Sequence, residues 1–214
     1  MKISSNSLKK LALILMFIDH AGLGLMSNNI IARLIGRLSF PLFAWIFART
    51  WNLTSDRKRL SNRLLIVGTI SQIPYIILFN QANLNIMLTF WIILEVLKAI
   101  NKSHQNYKNL ILILGMIAAE LARASYGWYA VISVILMMNF NPVSKGWWGG
   151  WIICNVIYTL WCGWWPQIFA IGAPIILNYH EPKLDRKPTV TEQRFFYWFY
   201  PIHLAALGAL STIL

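Results

Sequence analysis

Four ionisable side chains sit inside apolar sequence near the N-terminus: Asp19, His20, Arg33 and Arg37, in KKLALILMFIDHAGLGLMSNNIIARLIGRLSFPLFAWIF. A fifth, His203, lies in FFYWFYPIHLAALGAL at the far end. An ionisable group at membrane depth costs several kcal/mol unless it is paired or faces a polar cavity, so such residues mark sites. This set suits three chemistries. In acyl transfer, a histidine activates an amine or hydroxyl and an arginine or second histidine stabilises the oxyanion. A transporter could use the same groups as a proton relay. Metal binding would have to draw on His20, His203 and Asp19, whose spacing gives no ligand motif, so no metal is expected. Cys154 and Cys162 are eight residues apart on one apolar segment, about 12 Å along a helix and too far for a disulfide.

Spacing predicts which of these groups can cooperate. Arg33 and Arg37, four apart, share one helix face. Asp19 and His20 are neighbours in sequence, so they diverge by about 100° around a helix and Asp19 is free to serve another partner. Arg37 precedes the helix-distorting Ser39-Phe40-Pro41. Arg33 reads either as a ligand for substrate or as a snorkelling residue. Arg123 is a further candidate for substrate contact. Glu120 and Arg123 are expected to neutralise each other, as are Glu95 and Lys98. Asn85 is expected to cap a helix, and His104 and His180 to be solvated. Trp147, Trp148, Trp151, Trp161, Trp164 and Trp165 read as aromatic belts.

The elements that must hold these residues are apolar and helical. The 214-residue chain is 57% hydrophobic and only 12% charged, with mean hydropathy +0.55. Soluble domains are near a quarter charged. The expected fold is therefore all-α: one domain over residues 1–214, a polytopic membrane helix bundle of about nine spans, eight to ten in range. The spans fall near 8–26, 31–51, 61–79, 84–100, 108–124, 127–138, 147–161, 164–179 and 195–213. The N-terminal MKISSNSLKK followed by LALILMFI imitates a signal peptide, but Asp19-His20 interrupts the apolar run and no A-x-A site follows.

Charge placement orients the bundle. With the N-terminus in the cytoplasm and the C-terminus outside, all of the 19 Lys and Arg except Arg33, Arg37 and Arg123 fall at cytoplasmic ends. The net charge of +12 is then mostly topology, and no nucleic-acid partner is needed. The basic loop Arg57-Lys58-Arg59 belongs to this sorting, with contact to cofactor phosphates as the alternative. In this arrangement Asp19, His20, Arg37 and Arg123 lie in the outer half of the bilayer and His203 nearer mid-depth. Nothing in the sequence fixes an oligomeric state.

The runs KLALILMFIDH, GRLSFPLFAW, SYG at Ser125–Gly127, and FFYWFYPIHLAALGAL together resemble the TraX family of membrane proteins from conjugative transfer systems. The resemblance covers the chain end to end and falls on Asp19, His20, Gly36, Arg37, Phe40, Pro41, Tyr126, Gly127, Tyr200 and His203. The founding member acetylates the N-terminal amine of pilin subunits. The resemblance thus implies a bacterial inner-membrane acetyltransferase with acetyl-CoA as donor and a pilin as partner. His20 would be the general base or a transient acyl carrier, and Asp19 would hold charge or geometry. Arg37 would bind an anionic group or the oxyanion, His203 would act as a second acid/base, and Tyr126 and Tyr200 would contact substrate. Two alternatives stand beside this: O-acetylation of a surface glycan, and a non-catalytic transport or assembly subunit of a pilus or conjugation apparatus.

Overall fold

The computed structural model describes residues 2–26 and 28–213. They are helical throughout, with no strand among the described residues and only isolated bridges, Ile3 with His180 and Leu84 with Ala124. The α-helices are α1 (Ser5–Gly24), α2 (Ile30–Gly36), α3 (Ser39–Leu53), α4 (Arg57–Phe79), α5 (Ile86–Lys102), α6 (Lys108–Leu121), α7 (Gly127–Met138), α8 (Lys145–Cys162), α9 (Ala173–Leu177) and α10 (Val190–Ser211). All nine expected segments form helix, with two corrections. The second is divided between α2 and α3. The eighth is largely a 3-10 helix, Trp165–Gly172, before the short α9.

The first break sits at Arg37 and Leu38: the Arg37 N–H is shared between the carbonyls of Arg33 and Leu34, and the Leu38 N–H reaches back only three residues, to Ile35. Pro41 has no N–H to return to the Arg37 carbonyl, so a continuous helix would leave that bond unmade. Proline is instead placed in the first turn of a new helix, where the missing donor costs nothing. The break turns the chain at Arg37 and sets its side chain into the bundle. At the far end, α10 starts five residues before its apolar run, because Thr189 and Glu192 form a reciprocal capping box. Asn85 caps α5 as expected, its Oδ1 accepting from the N–H groups of Met87 and Leu88.

Two cores hold the helices. The larger gathers Leu8, Phe47, Ile93, Tyr129, Val134 and Trp151 from α1, α3, α5, α7 and α8. The smaller joins α1, α4 and α10 through Leu13, Met16, Tyr75, Tyr200 and Leu204. Buried positions also include Ser71, Asn85, Thr89, Ser133, Asn155 and Gln167, while Ile66, Ile70, Ile73 and Ile77 of α4 form an exposed stripe. The stretches Ile30–Leu53 and Arg57–Phe79 are long and apolar enough to cross a membrane. The reading of the tryptophans as belts is corrected for two of them: Trp147 and Trp151 are buried in the core, whereas Trp161 and Trp165 are exposed.

Candidate functional site: a histidine pair beside a carboxylate–arginine cluster

The C-terminal part of α1, the α2–α3 break, the loop before α7 and the middle of α10 meet around a cavity of about 630 Å3. Asp19, His20, Arg33, Arg37, Arg123, Tyr126 and Tyr200 all line it, together with Tyr75 and Tyr158, which the sequence had not singled out.

His203 does not line the cavity but stands directly behind His20. His20 Nδ1 and His203 Nε2 are 2.9 Å apart, and His203 Nδ1 is 2.7 Å from the carbonyl oxygen of Phe199. A carbonyl can only accept, so His203 carries its proton on Nδ1 when neutral. Its Nε2 is then an acceptor, and His20 must donate from Nδ1. The proton on His20 is thereby fixed on the inner nitrogen, and Nε2, which makes no hydrogen bond among the described residues, keeps its lone pair. A neutral imidazole held in this tautomer with a free Nε2 is the arrangement a general base requires.

The expectation that His203 lies at a different depth from His20 is corrected here. It measured α10 from its apolar run. Because the capping box starts the helix at Val190, His203 and His20 are 13 and 15 residues into α10 and α1, about 20 and 22 Å of rise, so parallel packing sets them level.

Asp19 turns away from His20, as its neighbouring position requires. Its Oδ2 is bound by Arg37 Nη2 and by Arg33 Nη1, the latter at 3.0 Å. Arg33 is only 13% exposed in its side chain, so it points into the cluster and does not snorkel. Both guanidiniums lie over Trp164, at 4.9 and 4.8 Å from its ring centre. That tryptophan had been assigned to a belt. Arg37 Nη1 also donates to the Tyr126 hydroxyl at 3.2 Å, and the Tyr126 ring stacks on Phe40 at 4.0 Å. Removing one partner from such a buried ionic cluster is strongly destabilising, about 3–5 kcal/mol.

Local geometry explains the residue types at two glycines. A side chain at Gly36 would collide with Asp19, so α2 can approach α1 closely enough for the ion pairs only with glycine there. Gly127 has φ +46°, and a Cβ would run into the Glu120 carboxylate. The preceding Tyr126 is also left-handed, at φ 66°. That costly turn is pinned by Ser125, whose N–H and hydroxyl both bond Leu84 O, at 3.0 and 2.8 Å.

Other expectations divide. Glu95 pairs with Lys98 at 2.8 Å. Glu120 and Arg123 form no ion pair among the described residues; Glu120 instead accepts from the Trp128 N–H at 3.1 Å, because the left-handed turn brings the start of α7 to it. His104 is exposed, but His180 is not solvated: it bonds Asp185 at 3.0 Å and packs on Trp45. Asp185 is further bound by Arg49 and by the Ser5 N–H. Burial pushes the Asp185 carboxyl up, but the Ser5 and His180 hydrogen bonds and the Arg49 charge outweigh it and hold the group below the usual carboxylate range. Arg57 lies over Trp51, while Lys58 and Arg59 are exposed; none of the three reaches the cavity. Among the described residues no group of histidine, cysteine and carboxylate side chains could hold a metal ion.

No solved structure matches the chain. A protein of Dichelobacter nodosus named "Probable fimbrial assembly protein FimC, serogroup H1" is 25% identical, covering 99% of this chain and 97% of that protein. A Rickettsia prowazekii protein named "Uncharacterized protein RP591" is 40% identical over 86 residues, 40% of this chain and 33% of that protein. The family described as TraX protein matches residues 4–211, which span every element of the histidine pair and the arginine cluster. The chain therefore belongs to the TraX family.

Proposed function

We propose that the protein is a multi-pass acetyltransferase of the bacterial inner membrane, moving an acetyl group from acetyl-CoA to the N-terminal amine of a pilin subunit. The observation that carries this reading is the His20–His203 pair, with His20, its Nε2 free of hydrogen bonds among the described residues, lining a cavity that also holds the Asp19–Arg33–Arg37 cluster. An acceptor amine gives a proton to His20 Nε2 as its nitrogen attacks the thioester carbonyl. The C–N bond forms, and negative charge developing on the carbonyl oxygen faces the Arg33 and Arg37 guanidiniums. Collapse of the tetrahedral species breaks the C–S bond, and the proton held on His20 passes to the departing thiolate. His203 and Asp19 touch no reacting atom. His203 holds the tautomer of His20, and Asp19 holds the arginines.

Membrane insertion is supported by inverted patterning: serines, asparagines and a glutamine are buried, while isoleucines of α4 face outward. With the N-terminus cytoplasmic, the cavity lies at the outer end of the bundle, where a processed pilin presents its amine. The family and the name of the Dichelobacter relative support a pilin as acceptor.

The same relative's name favours a second reading, a non-catalytic fimbrial assembly subunit. The two separate in proteoliposomes given acetyl-CoA on the N-terminal face and a pilin N-terminal peptide on the other. The transferase reading requires acetylated peptide, lost with His20→Ala. Absence of transfer on either face, with pili still failing to assemble when the protein is deleted, would establish the assembly reading instead.

A further inference from the structure

A second cavity, of about 290 Å3, opens at the opposite end of the bundle, between the N-terminal turns of α1, the C-terminal turns of α3 and the loop before α10. Lys9, Arg49, Arg186 and Lys187 line it, with Asp185 as the one carboxylate. The charges do not cancel. Arg186 is matched by Glu192 through bonds of 2.7 and 2.6 Å. Arg49 is matched by Asp185, which His180 and the Ser5 N–H also occupy. Lys9 and Lys187 make no ion pair among the described residues, and Lys9 is half-buried with its ammonium 5.4 Å from the Phe196 ring centre. Two unmatched ammonium groups, one of them partly desolvated, share a walled concavity with the Arg49 guanidinium, which is held by Asp185, itself part of the lining. Arginine and lysine so arranged bind phosphate oxygens through charge-assisted hydrogen bonds.

We propose that this cavity is a phosphate-binding site, with Lys9, Lys187 and Arg49 as its ligands. Two sources carry the chemistry: the phosphorylated head of a soluble nucleotide-type ligand, and a phospholipid headgroup. The position fits the first. Lys9 and Asp19 are ten residues apart on α1, and Arg37 and Arg49 twelve apart along the α3 segment, so the charged groups of the two cavities are separated by about 15–18 Å along the helices. The pantetheine arm of an acyl-CoA is about as long as four extended peptide residues, roughly 14 Å. A head group bound here would leave a thioester at the level of the histidine pair; only this clause rests on the acetyl-transfer reading.

The test is binding, independent of transfer. The full chain in phosphatidylcholine nanodiscs is titrated calorimetrically with inorganic pyrophosphate, and in a second arm native mass spectrometry reads retention of phosphatidylglycerol. Lys9→Gln and Lys187→Gln should each weaken the bound species by about tenfold, the loss of one charge-assisted contact. Lys145→Gln, a charge-matched change at an exposed position, should leave it unchanged. Arg49→Gln is read with its melting temperature, since it also unpairs Asp185. Pyrophosphate binding that the two lysine variants weaken supports a soluble ligand. Phosphatidylglycerol retention that they weaken, with no pyrophosphate binding, supports a headgroup. Binding equal in the wild type and both lysine variants, or no binding of either probe, overturns the proposal.

Discussion

On the proposed acetyl transfer, the histidine pair gives the sharpest quantitative expectation. His203→Phe keeps the ring volume beside Phe17, Phe199 and Tyr200 but removes the nitrogen that accepts from His20. The buried His20 Nδ1–H is then left without a partner, a cost of about 1–3 kcal/mol. His20 escapes that cost by moving its proton to Nε2, where the cavity can hydrate it, and in doing so loses the lone pair that faces substrate. Catalysis then runs through the minor tautomer, and the same 1–3 kcal/mol becomes roughly a 5- to 150-fold loss in kcat/KM. His20→Ala should lose the whole contribution of a general base, about 100- to 10,000-fold. The double variant should be no slower than His20→Ala alone, because His203 acts only through His20. CoA release by purified protein, with melting temperatures to confirm folding, measures all three. Full activity of His203→Phe would refute the tautomer argument. Multiplying losses in the double variant would refute the dependence of His203 on His20.

Arg37→Lys keeps the charge on Asp19 but loses the Tyr126 bond and the Trp164 stacking, about 1 kcal/mol each. Transfer should fall roughly 30-fold with insertion intact, and a near-normal rate would show that the planar fork is not needed. Gly36→Ala drives a methyl into Asp19, so it should lower the melting temperature by the equivalent of about 1–3 kcal/mol and impair transfer together. An unchanged melting temperature would mean that α2 can retreat at no cost. Asp185 is held below the ordinary carboxylate range, so the clasp it makes is fully present above about pH 4 and lost as pH falls through the lowered native value. Deuterium uptake at residues 2–6 should rise on acidification, and Asp185→Asn should show the raised uptake at neutral pH.

What the sequence determined by itself was whatever depends on local periodicity and composition. Apolar run lengths placed the helical segments, though not the break at Arg37 or the 3-10 stretch Trp165–Gly172, and Asn85 and the Glu95–Lys98 pair were legible because a cap and an i, i+3 contact lie within one helical turn. The neighbouring Asp19 and His20 had to serve different partners, since adjacent helical residues face apart. Pairings across the bundle were decided only by tertiary structure. The 2.9 Å contact of His20 with His203 joins residues 183 apart and depends on where α10 starts, which a polar capping box sets and hydropathy does not show. Trp164 beneath the arginines, Glu120 turned from Arg123 to the start of α7, and His180 drawn under Asp185 likewise follow from which helix ends meet. The glycine at position 36 stands on both sides of this division: its type is fixed by the sequence, and its reason is the carboxylate that only packing brings against it.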